Sequence, residues 1–424
     1  MHFNRILYTL CFGMIFQVAH AQIDTAITHS NINYNDYIRM VGDSNLGYAA
    51  EKFNINIAEA EVEKAKIFQD PTFSFDFTNQ TENGSNAGYV LYSEMTKTFE
   101  LFGKRKARIN LAKSEHELTQ AMVEDFFRNL RADATLAYLS AIKQNSLFKV
   151  KIDSYNTIKQ LSVADSIRFT IGNIMEIDAK QSKVEAGILL NELIQSEAEW
   201  KNSLSQLSLM IGNSGTDSII FPRGSLKGMY KSFNLDNLVE MALNNRTDLL
   251  VALKNKEVSQ KALTLVKRER RMDVDLKLGL ENSYNTSWGS STANAYTAGI
   301  AIPLKFSNFN KGEVKIAQYQ VSQADKVYEQ VETEIKTEVL QALNLYNAYC
   351  RQVDSFNKGL LENANSVKQG KIYSYKRGET SLLEVLNAQR TYNDIQTAYY
   401  EALYNRAAAL VELEKAIGIW DISL

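Results

Sequence analysis

Proline is almost absent from this chain of 424 residues, since only Pro71, Pro222 and Pro303 occur. Proline interrupts helices because it lacks the backbone N–H and because its ring clashes with the preceding turn. So few interruptions, together with abundant Ala, Leu, Gln, Glu and Lys, predict very long helices. The length alone would otherwise suggest two or three compact domains.

Cysteine and histidine are also scarce, with two cysteines and four histidines in the whole sequence. Cys11 lies in an N-terminal apolar stretch, so a chain cleaved after that stretch keeps only Cys350 and forms no internal disulfide. His29 and His116 then remain, too few and too far apart for the usual zinc sites. No nucleophile with a base and no phosphate-binding loop is found. We therefore expect no enzymatic activity, no cofactor and no metal site.

Charge of one sign and long apolar runs are missing as well. The sequence has 47 Lys and Arg against 49 Asp and Glu, a balance that gives no reason to expect nucleic-acid binding. Beyond the N-terminal stretch, no segment offers about 18 consecutive apolar residues, the length of a membrane-spanning helix. We therefore expect no such helix.

The first residues have the pattern of a secretory signal peptide. Arg5 precedes an apolar stretch from Ile6 to Val18, and Ala19 and Ala21 flank His20 as in a cleavage site. Residues 1–21 are therefore predicted to be a signal peptide, which implies export from the cytoplasm.

The strongest pattern is an internal duplication with a period of about 205 residues. The segment Leu101–Arg108 opens a helical pattern in the first half, and Phe306–Glu313 does so in the second. Later, the surroundings of Gly172 correspond to those of Gly378. The sequence therefore predicts two structural repeats, residues 22–212 and 235–418, joined by a connector, 213–234, and followed by a C-terminal tail, 419–424.

Each repeat combines two kinds of periodicity. Apolar residues at steps of three and four predict helices, and one unbroken helix from Lys104 to Arg168 would extend roughly 98 Å. Alternation with period two, as at Phe73, Phe75 and Phe77, predicts one β-hairpin per repeat. We expect these hairpins at about 72–101 and 273–305, with Ile302 and Leu304 in the last strand.

An exported chain whose strands have one apolar and one polar face fits an outer-membrane β-barrel. Four strands cannot close a barrel, because such barrels begin at about eight strands. Copies of the chain must therefore share one barrel, which a dimer would build from eight strands and a trimer from twelve. The alternative for an isolated strand is a soluble amphipathic strand packed on a core.

These features together resemble the TolC family of outer-membrane efflux proteins. The most specific matches are Phe99–Lys106 after the second strand, Ile302–Leu304 at the fourth, and Gly378–Gln389. The resemblance covers essentially the whole chain after the signal peptide. It implies a mixed α/β membrane protein, a homotrimer with a β-barrel of four strands per chain that continues into a long periplasmic α-helical barrel.

By the same resemblance, the glycine turns at Gly172 and Gly378 are the periplasmic tips of helical hairpins. Arg168 and Tyr375 fall where family members hold the closed state by hydrogen bonds between hairpins. The alternative for both is solvated surface. The residues six and nine positions after each glycine are expected to line the periplasmic channel mouth: Asp178, Gln181, Glu384 and Asn387.

The resemblance further implies an exit duct that exports small molecules or metal cations through the outer membrane. Its partners would be a periplasmic adaptor, an inner-membrane resistance-nodulation-division transporter and outer-membrane lipid. The Gly-Lys-Arg run at Gly103–Arg105 resembles the cation-efflux branch of the CzcC and CusC kind. Two alternatives stay open: the exit channel of a type I protein-secretion system, and a periplasmic structural coiled-coil protein.

Overall fold

The computed structural model describes residues 28–82, 85–214, 218–285, 291–304 and 309–421. The predicted signal peptide, residues 1–21, lies outside these ranges. Within them, every helix is either too short or too polar to cross a lipid bilayer.

The first half of the chain begins with a short strand and two helices, continues through two strands, and ends in two long helices. These elements are β1 (Thr28–Ile32), α1 (Tyr34–Ser44), α2 (Leu46–Lys66), β2 (Thr72–Glu82), β3 (Ser85–Phe99), α3 (Lys104–Thr170) and α4 (Glu176–Met210).

The second half repeats this succession, with an interruption in its first long helix. Its elements are β4 (Ser218–Pro222), α5 (Leu235–Asn245), α6 (Thr247–Glu269), β5 (Val274–Asn285), β6 (Ser291–Ala301), α7 (Lys311–Ser355), a π-helical turn (Phe356–Leu360), α8 (Leu361–Lys376) and α9 (Leu382–Ile417). The last strand is shorter than predicted, since Ile302 and Leu304 lie beyond it. Pro303 between them has no N–H to donate to a neighbouring strand. The duplication itself stays a prediction.

The four long strands form one antiparallel sheet in the order β2-β3-β5-β6. Strands β3 and β5 pair from Gly88 opposite Asn285 to Phe99 opposite Val274, so the two hairpins are joined edge to edge. In the described part of the chain, β2 and β6 each have only one neighbouring strand. Both outer edges of the sheet are therefore open.

A second, smaller sheet was not predicted. Strand β1 pairs in parallel with β4, with Ile32 opposite Pro222. The hydroxyl of Tyr138 in α3 donates to the carbonyl of Ile32 at 3.0 Å and to that of Arg223 at 2.5 Å. The polar connector between the halves thus contains a strand that is fastened to the start of the first half and to α3.

Helix α3 runs for 67 residues without a break, which corresponds to roughly 100 Å. Its counterpart in the second half is interrupted at the π-helical turn, where Gly359 has φ +101° and Lys358 has ψ 23°. A left-handed φ is easily adopted by glycine because it has no Cβ. The Phe356 ring, at the start of this turn, lies 5.8 Å from the Tyr399 ring of α9.

The main core lies between the long helices near the small sheet, and its centre is built from small and aromatic side chains. This core includes Ala132, Ala134 and Tyr138 of α3 and Leu410 and Leu413 of α9. Small residues allow two helices to approach closely, and close packing stabilises such a bundle by dispersion and apolar burial. A second cluster lies near the far ends of the helices: Ile158, Leu161, Leu189, Tyr375, Leu382, Val385 and Leu386.

The core also encloses charged groups at the junctions between elements. Arg246, which separates α5 from α6, is buried and donates to the Glu338 carboxylate at 2.6 Å and to the Ala416 carbonyl at 3.3 Å. It also pairs with Asp248. A buried guanidinium must find acceptors for its donors, so this residue fixes α6, α7 and α9 relative to one another.

Glu414 of α9 is 2% exposed, and the Lys231 ammonium lies 3.7 Å from its carboxyl group. Burial raises the pKa of Glu414 to about 8, and the nearby Asp421 carboxylate contributes in the same direction. A carboxyl whose pKa is raised on folding stabilises the fold in its protonated form. That contribution is full below the ordinary pKa of 4.5 and is lost as the pH rises through about 8.

We therefore predict that the apparent Tm of the protein falls as the pH rises from about 4.5 to about 8. Glu414→Gln should remove most of this dependence, because the amide does not ionise. Glu412→Gln, a change on the exposed side of the same helix, is the matched control and should keep the wild-type slope. Differential scanning calorimetry in detergent measures all three. An unchanged slope in Glu414→Gln would contradict the assignment.

Candidate functional site

The two helical hairpins end in turns of the same construction. Gly172, with φ +79°, lies in the turn after α3. Its N–H donates to the Phe169 carbonyl at 2.9 Å, and the N–H of Asn173 donates to the Arg168 carbonyl at 2.8 Å. Gly378 also has φ +79°, and the two corresponding backbone N–H groups of its turn donate to helix carbonyls at 3.0 and 2.9 Å. This arrangement caps the last carbonyls of a helix and needs a left-handed residue, which explains the glycine in each turn.

Next to the turns, the two hairpins meet at a buried tyrosine. The hydroxyl of Tyr375 in α8 donates to Oδ1 of Asp165 in α3 at 3.0 Å. The guanidinium of Arg168 lies 5.1 Å from the centre of the Tyr375 ring and 3.8 Å from the Asp165 carboxylate. The structure thus brings together Arg168 and Tyr375, two of the residues singled out in the sequence, within one chain.

Asp165, the acceptor in this contact, was missed by the sequence analysis. It is 0% exposed, and burial raises its pKa. A signal was present, because Ile158, Leu161 and Asp165 follow one another at helical spacing. A carboxylate on the apolar side of a helix indicates a buried polar partner. Burial and the Asp165 carboxylate raise the pKa of Tyr375, so its hydroxyl remains a donor.

The four residues predicted to line the mouth lie in the first turns of α4 and α9. Asp178 is half-buried, whereas Gln181, Glu384 and Asn387 are exposed. Lys371 of α8 pairs with the Glu384 carboxylate. This hydrogen bond is the main cause that lowers the pKa of Glu384, so the carboxylate is charged but its charge is paired within the hairpin.

A third contact links the hairpins further from the tips. Arg390 of α9 donates to both carboxylate oxygens of Glu185 in α4, at 2.9 and 3.0 Å. Behind it, Ser154 of α3 donates to Asn393 of α9 at 2.6 Å. A bidentate pair fixes orientation as well as distance. The two hairpins are therefore held side by side, with the Tyr375 and Asp165 pair at the end.

The four-stranded sheet lies at the other end of α3, and its apolar side is exposed. Phe73, Met95, Leu278 and Ala298 occupy one row across the four strands. Large apolar side chains on this side are exposed, Phe73 by 70% and Leu278 by 53%.

The opposite side is mainly polar and half-buried along the two inner strands, β3 and β5, whereas the outer strands β2 and β6 are exposed on both sides over nearly all their length. Along β5, the residues that alternate with the exposed leucines, namely Asp275, Lys277, Gly279 and Glu281, are half-buried. A soluble sheet has the reverse arrangement, with its apolar side covered. The sheet therefore has an uncovered apolar side and a polar side that is half-buried along its two inner strands.

Groups suited to bond-making chemistry are not brought together. Apart from the gaps given above, no three side chains of His, Cys, Asp or Glu come together between residues 28 and 421 as metal ligands would. The only described cysteine, Cys350, is buried, and burial raises the pKa of its thiol, which makes it a poor nucleophile. The structure provides a four-stranded sheet, a bundle of long helices and a contact that joins the two helical hairpins near their tips.

Residues 238–419 match the sequence model of the family described as outer membrane efflux protein. The chain is also 23% identical over 383 residues to the cobalt-zinc-cadmium resistance protein CzcC of Cupriavidus metallidurans, a match that covers 90% of this chain and 88% of that protein. The resemblance to the TolC-type outer membrane efflux proteins is confirmed.

Solved structures show the same fold. The outer membrane channel CmeC of Campylobacter jejuni superposes with a TM-score of 0.74 at 14% identity, over 91% of this chain and 85% of that one. CusC superposes with a TM-score of 0.70 at 15% identity, over 91% and 92% of the two chains. These outer membrane efflux proteins are channel proteins, which supports the expectation of a non-enzymatic role.

We predict that Tyr375→Phe loosens the tips of the hairpins. The change removes the donor to a buried carboxylate, a loss of about 1–3 kcal/mol in local stability. Amide hydrogen exchange near the end of α3, around Asp165, should then become faster. Tyr373→Phe, which alters an exposed tyrosine on the same helix, is the control and should leave exchange unchanged. Equal exchange in Tyr375→Phe and the wild type would show that this hydrogen bond does not hold the tips.

Proposed function

We propose that the protein is the outer-membrane exit duct of a tripartite efflux system, which carries small molecules or metal cations from the periplasm to the outside. Three copies form one barrel of twelve strands that continues into a periplasmic α-helical barrel. A periplasmic adaptor and an inner-membrane resistance-nodulation-division transporter deliver the cargo. The proposed structural repeats, 22–212 and 235–418, each supply one strand hairpin and one helical hairpin to these barrels.

One observation carries this proposal: the sheet exposes its apolar side, while the polar side of its two inner strands is half-buried. Exposure of an apolar surface to water is unfavourable, whereas contact of that surface with lipid chains is favourable and needs no further protein. The polar side, which contains Glu94 and Lys277, would then face a water-filled interior. The two open edges, β2 and β6, support the same conclusion, because unpaired strand edges are not tolerated in lipid. Pairing β6 of one copy with β2 of the next closes the barrel.

The contacts at the tips support a channel that can be closed. A ring of twelve helices becomes narrower where the hairpins lean together. The hydrogen bond between Tyr375 and Asp165, with Arg168 over the Tyr375 ring, holds the two hairpins of one chain in that position. Docking of an adaptor would need to separate them. Gly172 and Gly378 then mark the surface that the adaptor meets.

The carboxylates near the tips support passage of cations. Asp178 and Glu384 of three copies would bring six carboxylates to the mouth, and an acidic ring attracts cations. Lys371 reduces this effect because it pairs with Glu384. The relative CzcC is named for resistance to cobalt, zinc and cadmium. Divalent metal cations are therefore the cargo that we propose to test first.

We expect the purified protein to be trimeric in mild detergent and to form discrete current steps in a planar lipid bilayer. Light scattering of the protein in detergent gives the number of copies, and single-channel recording gives the conductance. Cell fractionation should recover the protein in detergent-extracted outer membrane. A monomeric protein that passes no current, or one recovered in the periplasmic supernatant, would contradict the proposed function.

We expect two opposite changes at the mouth. The double change Asp178→Ala and Glu384→Ala should weaken the block by multivalent cations, because it removes the negative charge of the ring. It should raise the conductance, because the shorter side chains widen the mouth. Lys371→Ala should strengthen the block, because it leaves Glu384 unpaired. Lys336→Ala, on an exposed face of α7, is the control. Equal block in all four proteins would show that these carboxylates do not line the mouth.

A further inference from the structure

Two glycines near the tips lie inside helices and have open space beside them. Gly187 is in α4 and Gly370 is in α8, and both are exposed. A Cβ placed at either residue would meet nothing within 4 Å. Glycine weakens the interior of a helix, and it often occurs where another backbone approaches closely. The described part of the chain supplies no such neighbour for either glycine.

Both glycines lie at the outer ends of a row of four helices. In the described part of the chain, α3 lies between α4 and α9, and α9 lies between α3 and α8. Ser182 of α4 is buried, and the helical period places Val184 and Gly187 on the opposite side of that helix. In the same way, Gly370 lies opposite the buried Lys368 of α8. The two glycines therefore face away from the rest of the chain.

Each of these glycines follows an exposed valine at a spacing of three residues. Val184 precedes Gly187 and is 62% exposed, and Val367 precedes Gly370 and is 57% exposed. Residues at this spacing are neighbours on a helix surface. Each outer helix thus has an apolar side chain and an adjacent gap.

Contacts within the chain give the relative heights of α4 and α8. Tyr375 of α8 donates to Asp165 of α3, and Lys151 of α3 pairs with Glu192 of α4 at 2.7 Å. Each contact joins residues at about the same distance from the tips. Because both contacts include α3, the residues of α4 can be compared in height with those of α8.

This comparison places each valine beside a glycine of the other helix. Counted from the two contacts, Val184 lies within about one residue, roughly 1.5 Å, of the height of Gly370. Gly187 has the same relation to Val367. Rotation about a channel axis leaves heights unchanged, so the two pairs also match between neighbouring copies.

We propose that α4 of one copy packs against α8 of the next, with Val184 opposite Gly370 and Gly187 opposite Val367. The inference rests on the proposed function, in which three copies form a ring of twelve helices. Each valine then fills the space beside a glycine, so the two helices approach more closely than two large side chains would allow. This contact closes the ring between copies near the mouth.

The experiment tests the contact by disulfide cross-linking of the full-length protein in detergent. All variants carry Cys350→Ala, so that only the introduced thiols react. After oxidation, Val184→Cys combined with Gly370→Cys should migrate mainly as a covalent trimer on a denaturing gel, because each copy is linked to both neighbours. Reductant should return it to the monomer position.

A second pair and a matched control test the register. Gly187→Cys combined with Val367→Cys should also give covalent trimers, and it provides the test if the first pair fails to assemble. Ile194 is exposed on α4 as well, but lies roughly 15 Å further from the mouth. Ile194→Cys combined with Gly370→Cys should therefore stay at the monomer position.

A larger side chain at position 370 gives an independent test. Leucine forms helices better than glycine, so a helix with a free side would not be weakened by Gly370→Leu. In the proposed contact, the leucine competes with Val184 of the next copy, and trimers in detergent should dissociate several degrees below the wild-type temperature. Gln369→Leu, at the adjacent exposed position, is the control and should behave as the wild type. Light scattering during heating measures all three.

The outcomes separate this inference from the proposed function. A wild type that is monomeric in detergent would overturn the proposed function. If the wild type is trimeric and neither cysteine pair cross-links, the duct stands and the contact between α4 and α8 is overturned. The contact is also overturned if the control pair cross-links equally well, or if Gly370→Leu and Gln369→Leu dissociate at the same temperature.

Discussion

A sheet with an uncovered apolar side and two open edges is the constraint on which the rest of the structure depends. No helix of the described chain covers Phe73, Leu278 or their neighbours, and in the proposed barrel lipid covers this surface. In the same proposal, other copies pair with the two open edges, because lipid offers no partners to their N–H and C=O groups. The placement of the long helices at one end of the sheet follows, because their polar surfaces belong in water.

The regular features were predictable because each depends on a short-range pattern. Alternation at Phe73, Phe75 and Phe77 indicated strands, and the continuous helical period after Lys104 indicated α3, which the structure confirms as one helix. The pairing of β1 with β4 was not predictable in this way. Both strands have only five residues, too few to show a period, and they pair across nearly the whole first half of the chain.

The candidate site was predictable only in part, for a related reason. Glycines that end helices are visible in the sequence because they recur at corresponding places in both halves, and Arg168 and Tyr375 were identified beside them. The partner, Asp165, becomes evident only when the two hairpins are packed together. Similarly, nothing in the sequence shows that Lys371 pairs with Glu384, because this contact depends on which side chains face each other across elements.

The interruption at Gly359 has a mechanical consequence. A continuous helix transmits an axial load along its whole length, so α3 behaves as a rigid strut between the sheet and the first tip. The corresponding path in the second half is divided at the π-helical turn, where the hydrogen-bond ladder is irregular and bending costs less. A force applied equally to both tips would therefore deflect the second hairpin more than the first, so the two halves of the chain would respond differently.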